Sequence, residues 1–115
     1  MFKYYGLPPT IRIGCHDVDV KMLDEIIDEN GEKYLGEFFG AENELRLVKE
    51  QINITYAVET LLHELLHAIY FAWHLNPAED KEGEEWRVGA IATGLTQVLK
   101  DNPKILEWLA SALTK

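Results

Sequence analysis

Two histidines and a glutamate at positions 63 to 67 are the side chains of this sequence best suited to chemistry. Read as a helix at about 100° per residue, the stretch Thr60–Tyr70 places His63 and His67 one turn apart on one face. Two imidazoles so placed can hold one metal ion, and Glu64 can take a proton from a water bound to that ion. The neighbouring positions are mostly apolar, which predicts a core helix that carries these three polar groups inside the protein. The alternative is a core helix whose histidines bond to backbone carbonyls.

A catalytic zinc site has three protein ligands and one open position, so the histidine pair needs a third donor. His74 lies two turns after His67, about 10.5 Å along a straight helix, which is too far to share an ion bound at about 2 Å. A histidine there is more typical of a partner for the helix C-terminal dipole. The longer pattern HExxHxxGxxH also fails, because Tyr70 and Trp73 stand where its glycine and its third histidine would be.

Two adjacent glutamates, Glu84 and Glu85, are the remaining candidates for the third ligand. Both lie about one turn before Val88, so both are near the core-facing side of the next predicted helix. An antiparallel packing of this helix on the first would bring one of them to the metal. Periodicity does not choose between them, and the other is expected to be a solvated acid in the first turn of its helix.

The order of these motifs resembles the zincin-type metallopeptidases whose third zinc ligand is a downstream glutamate, and especially the short HExxH proteins of phages and prophages. The resemblance covers roughly residues 34 to 113. It is carried by the helix motif Thr60–Ile69, by Glu84-Glu85, and by the turn Asp101-Asn102-Pro103.

The sequence also resembles the metallopeptidase domain of phage-repressor-cleaving proteins. In that domain small or apolar residues follow the glutamate ligand by three and seven positions, as Val88 and Ala92 follow Glu85. The two resemblances together imply zinc-dependent hydrolysis of a peptide or protein substrate, with Glu64 as general base. The implied Zn²⁺ ligands are His63, His67 and Glu85.

Other functions remain open at this point. A zinc-binding phage or prophage interaction protein without activity would share the ligands and differ in access or in the oxyanion donor. A structural zinc site would be closed by a fourth ligand such as His74 or His16. Candidate oxyanion donors are four tyrosines and one histidine, which the sequence does not rank: Tyr5, Tyr34, Tyr56, Tyr70 and His16.

Length and composition predict one globular domain over residues 1–115. Hydrophobic residues make up 47% and charged residues 27% of the chain. The net charge of −9, with only 11 Lys and Arg, argues against nucleic-acid binding. The single cysteine, Cys15, cannot form an internal disulfide, and no run of about 20 apolar residues suggests a membrane span. We therefore expect a cytoplasmic protein; no feature predicts its oligomeric state.

The elements around the motif predict an α+β fold. Alternating patterns predict strands over 10–15 and 18–22, and a hairpin of 34–39 with 44–48 around the turn 40–43. The spacing of Leu23, Ile26 and Ile27 predicts a short helix or turn that ends at Asn30-Gly31. The sheet should be small and mostly antiparallel, with an exposed edge to which an extended peptide could add, although many such edges bind nothing.

Three helices should complete the minimal zincin-like fold that the resemblance implies. The HExxH helix should begin near Asn53 or Thr55 and end at Asn76-Pro77. A glutamate-bearing helix should run from about 85 to 100. The C-terminal helix should begin at Pro103, a favoured first helical residue.

Overall fold

The computed structural model describes residues 1–75 and 81–114, without the side chains at positions 81, 82, 84 and 85. The described residues form an α+β fold with strands in the first half and helices in the second, as the sequence predicts. The strands are β1 (Phe2–Lys3), β2 (Thr10–Ile13), β3 (His16–Leu23), β4 (Ile26–Ile27), β5 (Lys33–Tyr34), β6 (Gly36–Phe39), β7 (Glu44–Val48) and β8 (Glu50–Gln51). The helices are α1 (Ile54–Ala72), α2 (Lys81–Asp101) and α3 (Pro103–Leu113), and a single 3₁₀ turn covers Gly40–Glu42.

A four-stranded sheet in the order β2-β3-β7-β6 is the platform of the fold. The predicted hairpin of β6 with β7 is present, and the strands predicted over 10–15 and 18–22 form a second antiparallel hairpin, β2 with β3. The two hairpins meet through β3 and β7, which run parallel with Val20 opposite Leu45. The sheet is therefore mixed, and β6 is its last strand on the side of the second hairpin.

The segment after β3 was predicted as a short helix or turn, and it forms a turn between two short strands, so only the helix is wrong. Ile26–Ile27 form the strand β4, which pairs antiparallel with β5. The connecting turn is closed by the Asp28 carboxylate, whose Oδ1 accepts hydrogen bonds of 2.8 and 2.9 Å from two backbone N–H groups of the turn. Gly31 has φ +80°, so the glycine takes the left-handed conformation in a turn and not in a helix cap.

The core lies between one face of the sheet and the three helices. Helix α1 contributes the most side chains, because its buried positions recur every three or four residues. Burial of each large aliphatic side chain contributes about 1.5–3 kcal/mol to folding. The fully buried large side chains of the core include Ile11, Ile13, Leu45, Leu47, Leu61, Leu65, Ile69, Val98 and Ile105.

Local capping sets both ends of α1. Asn53 is the N-cap, and its side chain accepts a hydrogen bond from the Tyr56 N–H at 3.0 Å, which confirms the first of the two predicted starts. The helix ends at Ala72, earlier than predicted, because His74 has φ +53° and the Leu75 N–H donates to the Tyr70 carbonyl at 2.9 Å. This is a Schellman ending with Leu75 buried beside it. Residues 76 and 77, where the end was predicted, lie outside the described residues.

Asparagine and glutamine side chains fix the C-terminal part of α2 to the sheet. Asn102, in the turn between α2 and α3, donates to the carbonyls of Arg12 and Val98 and accepts from the Arg12 N–H, each at 2.8 Å. Gln97 accepts from the Gly14 N–H at 2.8 Å. Helix α3 begins at Pro103 as predicted. None of the described helices is long and apolar enough to cross a membrane.

Candidate metal centre

Helix α1 and strand β6 border an open cleft of about 500 Å³. Alternate residues of β6 and the turn after it face α1. A Cβ at Gly36 would lie 2.8 Å from Thr60 Cγ2, and the Phe38 ring packs edge-on against Phe71 with centroids 5.6 Å apart. A smaller cleft of about 360 Å³ adjoins the first and shares Tyr34, Gly36, His63 and Glu64 with it. His63, Glu64 and His67 all line the larger cleft.

The two histidines open into this cleft, which corrects the prediction that they are inside the protein. His63 and His67 are both exposed, whereas Glu64 between them is buried with 6% of its surface accessible. The reason is the sheet order: α1 packs beside β6, the last strand of its sheet, so one face of the helix is left open.

The geometry of the two imidazoles fits two nitrogen ligands of one ion. Their Nε2 atoms are 3.1 Å apart, with ring planes at 74°. Two nitrogens at 2.0–2.1 Å from a tetrahedral zinc ion would be about 3.3–3.4 Å apart. The observed separation also suits an N–H···N hydrogen bond in which one ring donates to the other. In both cases the two Nε2 atoms lie close together on residues that line the cleft, and imidazole nitrogen suits Zn²⁺.

Strand β6 positions the Glu64 carboxylate. The Leu35 carbonyl accepts from the Val48 N–H at 3.0 Å, so the alternation of an antiparallel ladder turns the backbone groups of Gly36 and Phe38 away from β7. The Phe38 N–H is accordingly directed to the side of Glu64, where it acts to lower the pKa of the carboxyl group. Since Gly36 has no side chain, the Glu64 Cγ can lie 3.0 Å from where a Cβ would be.

Burial raises the pKa of the Glu64 carboxyl above its ordinary value, while the charges of His63 and His67 and the Phe38 N–H act in the opposite direction. The carboxyl group is thus a better proton acceptor than an exposed glutamate would be. It also lies on the same helix as the two imidazoles, one residue after His63 and three before His67. Such a group can take a proton from a molecule held at the histidines and release it later.

The third ligand remains a prediction. Glu84 and Glu85 lie near the start of α2, with side chains outside the described part of the structure. Helix α2 contacts α1 at Gly94, nine residues after Glu85, where a Cβ would lie 2.7 Å from Ile69 Cγ2. Nine residues correspond to about 13.5 Å of helix rise, which is the distance along α2 from Glu85 to the contact at Gly94. Among the side chains that the structure describes, no three of the types His, Cys, Asp and Glu come together in a way that could hold a metal.

The other candidate residues differ in their distance from the cleft. Tyr34 lines both parts of it, and its hydroxyl donates to Asp28 Oδ2 at 2.8 Å. His16 packs against the Phe71 ring, with centroids 6.2 Å apart, on another side of that ring from the described cleft lining. His74 is exposed beyond the C-terminus of α1. Sequence reasoning missed Gly36 and Phe38, although a glycine inside a predicted strand signals the close approach of another group.

Comparison of the chain with models of protein families, with curated protein sequences and with solved structures gives no significant match. The geometry of the cleft and the chemistry of its residues are therefore the basis for inferring a function of this chain.

Proposed function

We propose that this protein is a zinc-dependent metallopeptidase with a minimal zincin-like fold that acts on peptide or protein substrates in the cytoplasm. His63, His67 and Glu85 hold Zn²⁺ in this proposal, and Glu64 is the general base. The observation that carries it is the pair of Nε2 atoms 3.1 Å apart next to a buried carboxylate in an open cleft. Two exposed histidines alone would support metal binding only. The buried carboxylate next to them adds a group that can accept a proton, which hydrolysis requires.

The residues of the cleft divide the work of peptide hydrolysis. Zinc, when bound, supplies a Lewis acid that polarises a carbonyl oxygen and lowers the pKa of a water toward 7. Glu64 accepts the proton of the attacking water on a carboxylate oxygen and passes it to the nitrogen of the leaving amine. Its buried position excludes bulk water from one side of that oxygen. The two histidines contribute nitrogen lone pairs and take no proton in this scheme.

Strand β6 offers a backbone edge on which an extended substrate can lie. The N–H and carbonyl of Gly36 and the carbonyl of Phe38 point away from β7, so they are oriented to pair with an added strand. The Phe38 N–H is directed to Glu64. A peptide on this edge would pass directly over Glu64 and the histidine pair, which is where its scissile bond must lie.

The experiment that tests the hydrolytic function is the substitution Glu64→Gln. The amide is nearly isosteric and keeps a hydrogen-bonding oxygen, but it cannot accept the proton, so turnover of a peptide library should fall by roughly 10² to 10⁴ while zinc content stays the same. Glu107→Gln on α3, an exposed glutamate far along the chain from the cleft residues, is the matched control and should keep full activity. Loss of zinc in Glu64→Gln would make Glu64 a ligand, and unchanged turnover would remove the hydrolytic mechanism.

The metal site has a separate test that requires no substrate. Protein purified without a histidine tag should contain about one zinc per chain by mass spectrometry, and a chelator should lower its melting temperature because the ion binds only the folded state. His63→Ala and His67→Ala should each remove the metal. Glu85→Ala should weaken zinc affinity far more than Glu84→Ala. The reverse order would transfer the third ligand to Glu84, and protein without metal whose melting temperature ignores the chelator would refute the site. Zinc without activity would favour the non-catalytic phage or prophage interaction protein.

A further inference from the structure

Two exposed aromatic side chains lie on opposite sides of the candidate catalytic groups. Phe71 is one helical turn beyond His67 on α1, and Tyr34 immediately precedes the segment that leads into β6. Both line the cleft that contains His63, Glu64 and His67. Their exposed fractions are 45% and 43%, so each presents a large apolar surface to whatever enters the cleft.

The Tyr34 ring is fixed although it is exposed. Its hydroxyl donates to Asp28 Oδ2 at 2.8 Å, and the other oxygen of Asp28 is held by backbone N–H groups of the turn before β5. The backbone of Tyr34 pairs with Ile26 in the β4–β5 ladder. These bonds hold an aromatic ring at the junction of the two parts of the cleft, where Tyr34 lines both. A ring that is already ordered loses little conformational entropy when a ligand binds.

The Phe71 ring is fixed by contacts of a different kind. It lies over Gly40, where three of its ring carbons would be only 2.6–2.9 Å from an added Cβ. Phe38 packs against it edge-on, and His16 lies on another side. The absence of a side chain at position 40 allows this close approach, and the remaining face of the ring stays open to the cleft.

We propose that Tyr34 and Phe71 determine specificity by binding large apolar or aromatic side chains of a peptide on the two sides of the bond to be cleaved. This inference rests on the proposed peptidase function, since it places the scissile bond at Glu64. Single exposed aromatic residues are common on protein surfaces and carry no such meaning. Here two rings, each immobilised by separate contacts, line one cleft with the catalytic groups between them. Packing against an aromatic ring favours an aromatic partner by several-fold over alanine.

The test measures binding apart from turnover. In the zinc-loaded Glu64→Gln protein, fluorescence anisotropy would compare two labelled, blocked hexapeptides: one with two central phenylalanines among alanines, and one of alanine alone. We expect the phenylalanine peptide to bind at least about tenfold more tightly. Tyr34→Ala and Phe71→Ala should each reduce this preference by about 3- to 10-fold. Phe71→Leu keeps an apolar side chain over Gly40 but has no ring, so it should lose the preference about as much as Phe71→Ala does. A much smaller loss in Phe71→Leu would make damage to α1 the cause and would overturn the role of the ring.

Phe39→Ala is the matched control. Phe39 is 41% exposed on the same strand but faces away from α1, where Arg46 lies 4.7 Å from its ring centroid. This variant should keep the full preference. An equal preference in the parent and in the Tyr34 and Phe71 variants, or no preference for phenylalanine in the parent, would overturn the inference. If recognition behaves as expected but the wild type cleaves neither peptide, the specificity pair stands and the hydrolytic function fails.

Discussion

Replacement of Gly36 by alanine should separate the position of Glu64 from its chemistry. A Cβ at this position would lie 2.8 Å from Thr60 Cγ2, 3.0 Å from Glu64 Cγ and 3.2 Å from Glu64 Oε2. Contacts below about 3 Å require one partner to move, and the β-branched Thr60 side chain has little freedom on a helix. The new methyl group therefore pushes α1 away from β6 or displaces the Glu64 side chain from the Phe38 N–H.

The energetic cost follows from two opposing effects. Overpacking of one methyl group typically costs 1–3 kcal/mol of unfolding free energy, and the reduced entropy of the unfolded chain returns about 0.4–1 kcal/mol. Gly36 has no left-handed φ that alanine would strain. The net loss for Gly36→Ala should be roughly 1–2 kcal/mol, measured as a shift of the urea midpoint. Peptidase turnover should fall further, by about 10²-fold or more, because the general base no longer has its fixed position.

A second substitution assigns the two effects to their causes. Thr60→Ser removes the Cγ2 atom of the closest contact but leaves the contacts of the new methyl group with Glu64. The double variant Gly36→Ala with Thr60→Ser should recover most of the lost stability and little of the lost turnover. Zinc content should stay at the wild-type level throughout, because the nearest contacts of an added Cβ at position 36 are with Thr60 and Glu64 and not with a histidine.

Gly89 offers a matched control for the glycine substitution. It lies in α2, and a Cβ there would have no neighbour within 4 Å. Gly89→Ala should raise stability by about 0.5–1 kcal/mol through helix propensity and leave turnover unchanged. If Gly36→Ala is instead as stable and as active as Gly89→Ala, the close packing of α1 and Glu64 on β6 at Gly36 does not position the general base.

Two further predictions concern hydrogen bonds of the buried side chains Tyr4 and Asn102. Tyr4→Phe loses the 2.6 Å hydrogen bond from the hydroxyl to the Ala57 carbonyl, which should lower the unfolding free energy by about 0.5–1.5 kcal/mol at pH 7. Burial, together with the Glu64 charge, raises the pKa of the Tyr4 hydroxyl, so the folded state holds this proton more strongly than the unfolded state does. The free energy of unfolding of the wild type should therefore decline as the pH rises above about 10, the ordinary pKa of tyrosine. Tyr4→Phe has no such proton, so its decline with pH should be less steep. Asn102→Ala removes three hydrogen bonds, two with the backbone of Arg12 and one with the Val98 carbonyl, and leaves the Arg12 N–H without this partner, although the Arg12 carbonyl keeps its 3.0 Å bond from Gln97 Nε2. The loss should be about 2–4 kcal/mol in urea titrations. An Asn102→Ala loss below 0.5 kcal/mol, or an alkaline slope unchanged by Tyr4→Phe, would contradict these assignments.

The parts of the fold that depend on local signals were predictable from sequence. The Asn53 cap, the start of α3 at Pro103 and the hairpin of β6 with β7 are set by residues within a few positions of one another, so their patterns are readable without the tertiary structure. The helical face shared by His63 and His67 belongs to the same class, because one turn of helix fixes it.

The parts that were missed depend on contacts between distant segments or on weak local choices. The parallel pairing of β3 with β7 joins two hairpins that are far apart in sequence, and nothing within either hairpin specifies it. For residues 23–27, a helical spacing of three apolar residues is too short to decide, and the bonds of the Asp28 turn made a strand pair the better solution. The end of α1 at Ala72 required a non-glycine residue, His74, in the left-handed conformation, which few sequence patterns announce.

The exposure of the histidines shows how tertiary context determines whether the motif can act. The same helix in the centre of a wider sheet would bury all three polar groups, and a substrate could not reach them. Because β6 is the last strand, α1 meets it along a seam where Glu64 turns inward to the Phe38 N–H while His63 and His67 turn outward to the cleft. The strand that holds the carboxylate also leaves the backbone groups of Gly36 free to bind a peptide. One strand edge thus positions both the proposed base and the proposed substrate, and a side chain at Gly36 would disturb both at once.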